Sequence, residues 1–290
     1  MRFSMSEAWN DAVGLMQRNK DVLAIVAGVF FLLPGLVMAL MFADQQAEAL
    51  AMLQSMMQGE ILEGQAPAAM AAPGWFFAVG ITAFFVQLIG YLALLALLDD
   101  RRRPTVAEAI GTAFRSLLPL IGVLLLFVLG YLVCVLVVSL VLGVLLAAIG
   151  AVSTTIAGLL SVILVIALLA GFFWIMARLS LILPEMILGE KLNPIRAITG
   201  SWRITKGNSF RLFLFYLLLA IVYFVIYALI FGVLLSVATM ALPATVAVVL
   251  MGVISGLIGA FFGVVWTAIL AAIHRQLSGP SAEAVSATFE

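Results

Sequence analysis

Four cations, Lys191, Arg196, Arg203 and Lys206, crowd the stretch PEMILGEKLNPIRAITGSWRITKGN, residues 184–208, in a 290-residue chain that is 66% hydrophobic. Cations gathered this way bind phosphate or carboxylate groups, and beside a bilayer each is attracted to anionic headgroups by about 1 kcal/mol. Arg101, Arg102 and Arg103 form a second group with the same chemistry. These seven residues are candidate contacts for anionic lipid. The same cations also orient a chain during insertion, a role that needs no ligand.

Groups that do bond-making chemistry are sparse. The chain has one histidine, His274, and one cysteine, Cys134. It therefore forms no intrachain disulfide and has no set of cysteines to hold a metal. The motifs H-E-x-x-H, G-x-x-x-x-G-K-[ST], G-x-S-x-G and C-x-x-C do not occur. His274, beside Arg275 at the end of an apolar run, is expected at headgroup level. Cys134 is expected toward the opposite half of the bilayer, which separates the two as a nucleophile pair. Met52, Met56, Met57 and Met70 offer soft thioether ligands of the kind copper(I) takes, and they equally fit the apolar face of a helix with Leu50 and Leu53. No catalytic constellation, metal site or cofactor is expected.

Polar groups inside apolar runs are costly in hydrocarbon and so carry information. Gln87 needs hydrogen-bond partners, supplied by a neighbouring Ser or Thr or by a substrate. Arg178 can snorkel toward the surface or pair with Asp99, Asp100 or Glu185. Gly252, Gly256, Gly259 and Gly263 make two small-xxx-small steps that let another helix approach closely, within the chain or in a homo-oligomer. Pro34 and Gly35 predict a kinked or loosened first span, since proline lacks one helix hydrogen bond.

The elements that must position these residues are apolar runs of about 20 residues or more, each long enough to cross the hydrocarbon core as a helix. Six are read, near 22–43, 75–98, 119–148, 154–183, 210–236 and 244–273. The first is too long for the core of a cleaved signal and is read as a retained span. The fold class is thus an all-α, polytopic membrane protein, with 1–290 a single membrane domain and 276–290 a short disordered tail. The Lys and Arg residues fall at the N-terminus, in the second connection, in the fourth connection with its flanks, and in the tail. The other three connections carry none. Cations near span ends resist translocation, so both termini are predicted cytoplasmic. Splitting Leu117–Leu183 into three spans instead would export the cation-rich stretch, against that rule. Trp75, Trp174 and Trp266 near span ends agree with headgroup depth. With 14 basic and 14 acidic residues there is no net basic field to recruit nucleic acid.

Three segments align without gaps: SMSEAWNDAVGLM from Ser4, TVAEAIGTAFRSL from Thr105 and NPIRAITGSWRIT from Asn193. Each opens on an N-cap residue type, Ser4 and Thr105 have Glu7 and Glu108 at capping-box spacing, and Pro194 takes the first helical position. Met5, Trp9, Val13 and Met16 recur at helical spacing, as do Val106, Ile110, Phe114 and Leu117. The third copy keeps Ile198 and Trp202. These predict short helices lying in the inner interface or packed across the ends of the bundle. One such helix plus two spans would be a unit repeated three times, about 1–100, 101–188 and 189–275. Two spans preserve direction, so the repeats would be parallel, as in some transporters.

The stretch LPEMILGEKLNPIRAITGSWRITKGNSFRLF, through Pro184, Gly189, Glu190, Ala197, Ser201, Trp202, Arg203, Thr205, Lys206, Gly207 and Asn208, resembles the core motif of the membrane domain named after glycerophosphoryl diester phosphodiesterases. The whole chain is similar to the related YciC-type six-span proteins. The resemblance implies a bacterial inner-membrane protein associated with lipid or membrane upkeep. It does not bring the phosphodiesterase barrel, whose metal-assisted chemistry needs clustered His and carboxylate ligands. The functional expectation is a nonenzymatic membrane protein that contacts anionic lipid or a protein partner. A transporter of a lipid-like or small amphipathic solute is the alternative.

Overall fold

The computed structural model describes residues 2–48, 52, 74–99 and 102–279. All regular structure among them is helical: α1 Met5–Arg18, α2 Lys20–Ala27, α3 Leu33–Met41, α4 Gly74–Leu97, α5 Val106–Gly150, α6 Thr154–Leu179, α7 Ile182–Ile187, α8 Pro194–Ile204, α9 Ser209–Ala241 and α10 Ala244–Ser278. Six helical stretches are long and apolar enough to cross a membrane: Lys20–Met41, Gly74–Leu97, Val106–Gly150, Thr154–Ile187, Ser209–Leu234 and Val246–Ser278. They coincide with the six apolar runs. The chain is a multi-pass helical membrane protein.

Local chemistry explains where the helices start. Ser4 Oγ accepts from Glu7 N at 3.4 Å, Thr105 Oγ1 from Glu108 N at 3.4 Å, and Asn193 Oδ1 from Ile195 N at 3.0 Å and Arg196 N at 3.2 Å. Each satisfies an amide that has no partner in the first turn. The box at Thr105 closes, its N donating back to Glu108 Oε2 at 2.8 Å. At Ser4 it does not, because Glu7 Oε2 accepts instead from Gln276 Nε2 at 2.8 Å. Between α2 and α3 the chain makes a π-helical turn over Gly28–Leu32, just ahead of Pro34. A widened turn accommodates the missing amide, so the loosening expected at Pro34 takes this form.

Two expectations are corrected. The second surface helix is not a separate element: it runs without a break into its span as the 45-residue α5, with Pro119 inside. At about 1.5 Å per residue α5 is far longer than the roughly 30 Å of hydrocarbon it must cross. The last helix also reaches Ser278, into the segment read as a disordered tail, whose residues 280–290 lie outside the described residues.

The chain divides into two compact units, Met1–Ala8 with Phe114–Leu217 and Ala272–Glu290, and Trp9–Ala113 with Leu218–Ala271. In the second unit Phe31 meets Tyr91 edge-on at 4.6 Å, Phe42 stacks on Trp75 at 5.3 Å, and Tyr223 meets Phe262 at 4.6 Å. The buried end of α4, with Leu92, Leu94 and Leu95, forms much of its core. In the first unit the long apolar parts of α5 and α6 are exposed on most sides, as at Leu125, Leu136, Leu140, Leu159 and Ile166. Apolar helix surface exposed in this way suits solvation by hydrocarbon.

Candidate functional site

The first unit holds a knot of buried polar groups where α6 ends. A helix leaves its last carbonyls without partners. The Arg178 carbonyl accepts from Ser201 Oγ at 2.8 Å and from Thr205 Oγ1 at 3.2 Å. Ser201 and Thr205 are four residues apart and so share one face of α8 and its C-cap. Ser180 Oγ shares a hydrogen bond with Tyr216 OH at 2.9 Å and donates to the Ala177 carbonyl at 2.8 Å. Phe3, Ser4 and Gln276, from the first and last segments of the unit, add to the knot. Phe3 N donates to Asn208 Oδ1 at 2.9 Å, and Gln276 Nε2 donates to Ser4 O at 3.4 Å.

Beside this latch lies a buried carboxylate. Glu185, 2% exposed on α7, is ion-paired with Lys191 through Oε2, while its Oε1 lies 3.3 Å from His274 Nε2. Burying a carboxylate is tolerable when both oxygens are matched, as they are here. Gly200 makes the site possible, because a Cβ there would run into the Glu185 carboxylate. Gly189 likewise sits where a Cβ would come 2.7 Å from the Glu185 carbonyl. His274 is 7% exposed, so it is held inside the protein against Glu185 and does not face solvent.

Glu185, one expected partner of Arg178, is occupied by other partners, and Asp100, another, lies outside the described residues. Arg178 itself is 8% exposed, so it does not snorkel into solvent. Its Nη2 donates to the Trp202 carbonyl at 2.6 Å, its guanidinium carbon lies 4.0 Å from the centre of the Trp202 ring and 5.4 Å from that of Trp174, and its Nε is buried without a hydrogen-bond partner. The two rings meet edge-on at 5.7 Å.

The other candidates are scattered. Arg196, Arg203 and Lys206 are exposed on or just after α8, as are Arg102 and Arg103 ahead of α5, whereas Lys191 is committed to Glu185. Arg101 lies outside the described residues, as do Met56, Met57 and Met70 with most of their connection. The short helices seat against the protein on a face other than the apolar stripes. Ala8, Ala109 and Ala197 have no exposed surface, nor have Ala12, Ala113 and Ser201. These are equivalent positions in the three aligned segments. The large residues of the stripes stay out: Trp9, Phe114 and Trp202 are all exposed.

In the second unit the α10 glycines face the first span. A Cβ on Gly252 would strike Ala39, one on Gly256 would come within 3.1 Å of Leu32, and one on Gly263 would sit 3.4 Å from Phe31. Gly259 has nothing near it and, with Gly252 and Gly256, borders a cavity of about 360 Å³ that Gln87, Gln46, Tyr91 and Ser255 also line.

Sequence reasoning missed Glu185, Ser201, Thr205, Asn208 and His274 as a cluster. The available signal was the Ser201–Thr205 spacing; the pairing of Glu185 with His274 across 89 residues leaves no local trace. A family model described as the membrane domain of glycerophosphoryl diester phosphodiesterase matches residues 75–278, from α4 to the end of α10. No curated protein and no solved structure matches the chain.

Proposed function

The chain belongs to the family of membrane domains of glycerophosphoryl diester phosphodiesterases, and on that premise we propose that it is a nonenzymatic bacterial inner-membrane protein that engages anionic lipid through short helices at the cytoplasmic surface. The observation that carries this reading is the division of labour on α8. One face is fastened by Ala197, Ser201 and the Arg178 carbonyl, which leaves Ile195, Trp202, Arg196, Arg203 and Lys206 exposed together. Large apolar groups beside cations suit the boundary between acyl chains and headgroups.

Two further features support it. The equivalent small residues of the three aligned segments are all fully buried, which favours three parallel repeats. The distribution of Lys and Arg along the sequence favours a cytoplasmic position for those helices and for both termini. Glu185 holds Lys191 and His274, and Ser201 and Thr205 hold the Arg178 carbonyl, so these groups have structural partners within the chain. That arrangement supports a role in scaffolding or membrane upkeep, with lipid as the partner.

The test is to extract the intact protein in native polymer discs and measure the lipids that accompany it. At about 1 kcal/mol, or about fivefold, per cation, replacing Arg196, Arg203 and Lys206 with Gln should weaken anionic-lipid association by about a hundredfold and abolish its enrichment. An unchanged lipid composition would remove the reading.

The cavity of the second unit favours one alternative, a transporter of a small amphipathic solute. Its volume of about 360 Å³ and its amide, phenol and hydroxyl groups suit an uncharged molecule. A Gln87→Cys thiol that reacts with membrane-impermeant reagents would support it, and full protection would argue for a closed bundle.

A further inference from the structure

We propose that Arg178, clamped between Trp174 and Trp202, is a binding site for the phosphodiester group of a phospholipid. A guanidinium carries five N–H donors in a planar fork. Here Nη2 is directed to the Trp202 carbonyl and Nε is buried with no acceptor. The two rings attract the cation, but by less than removing a charge from water costs. The carboxylate nearest in sequence, Glu185, is matched on both oxygens by Lys191 and His274. Among the described residues Arg178 has no acidic partner, and a buried guanidinium with an unmatched donor suits an anion.

The surroundings identify its class. Trp174 and Trp202 are 40% and 39% exposed, so the rim of the clamp is open while the guanidinium within it is buried. Tryptophan favours headgroup depth, where the abundant anion is the phosphodiester shared by zwitterionic and acidic phospholipids. A phosphodiester has two free oxygens, which match the Arg fork as a bidentate acceptor, and its acyl chains would run along the exposed apolar surface of α6. The site depends on the reading above only in placing α8 at headgroup depth; it does not depend on Arg196, Arg203 or Lys206.

The experiment uses the full-length protein, delipidated in detergent and examined by native mass spectrometry with phosphatidylethanolamine, phosphatidylglycerol, diacylglycerol or inorganic phosphate added separately. Both phospholipids should give a persistent adduct of one lipid per chain, and diacylglycerol should not. Arg178→Gln should lower adduct occupancy roughly tenfold or more, as the loss of charge-assisted hydrogen bonds implies. Arg178→Lys, which keeps the charge but not the fork, should give a partial loss. Equal retention of diacylglycerol and phosphatidylethanolamine would overturn the proposal, as would inorganic phosphate binding in place of either lipid, or Arg178→Gln binding lipid like the wild type. If Arg178→Gln fails to fold, the wild-type comparison of lipids decides. Failure of the surface-cation reading shows separately, as an unchanged anionic enrichment alongside an intact phosphatidylethanolamine adduct.

Discussion

Glu185 holds Lys191 and His274 with Gly200 packed on its carboxylate, and the space around it leaves little tolerance. Gly200→Ala should place a methyl group against its carboxylate and 3.3 Å from Lys191 Nζ, lowering stability by about 1–3 kcal/mol. Thermal melting in detergent measures this, and Gly259→Ala, where a Cβ meets nothing within 4 Å, is the internal control and should be neutral or slightly stabilising. Removing one partner of a buried pair costs roughly 3–5 kcal/mol, and Glu185→Gln should fall toward the lower end because the Lys191 side chain is one-third exposed. The Glu185→Gln/Lys191→Met double variant should lose less than the sum of the singles, since the two act on one interaction. None of this was legible residue by residue. His274 ends an apolar run beside Arg275, and only the tertiary fold brings it to Glu185.

At the scale of elements the sequence is far more transparent. Spans are specified by length and hydropathy, and helix starts by cap chemistry, so Ser4, Thr105 and Asn193 all perform the role their type suggests. The direction in which an amphipathic helix turns is less legible. The expected stripes followed the largest apolar residues, yet the buried seam uses Ala and Ser, because small side chains allow close approach while Trp9, Phe114 and Trp202 can lie in lipid. The junctions differ for equally local reasons. Gly207 adopts φ +84° between α8 and α9, a left-handed conformation that frees the surface helix to fold back, whereas α5 has no such break. The attachment of α8 rests on two hydroxyls. Ser201→Ala combined with Thr205→Val should leave the Arg178 carbonyl without its side-chain donors at a cost of about 1–3 kcal/mol. Hydrogen exchange should then quicken over residues 194–204 and stay unchanged in the middle of α10.

For the molecule as a whole, the distribution of cations along the chain makes orientation the decisive measurement. A reporter fused near residue 200 should be active only in its cytoplasmic form, and single cysteines placed in the 53–73 connection should react with reagents confined to the periplasm. The reverse pattern would remove every role assigned to the inner surface. The latch described at the end of α6 has one more consequence. Its donors are uncharged hydroxyls, two of them buried on a carbonyl, whereas the exposed guanidinium and ammonium groups of the same helix act through solvent across a screening length of about 8–10 Å. Raising ionic strength should therefore silence the helix toward its bilayer without unseating it, so that attachment and recognition respond to different variables and can be separated in one titration with salt.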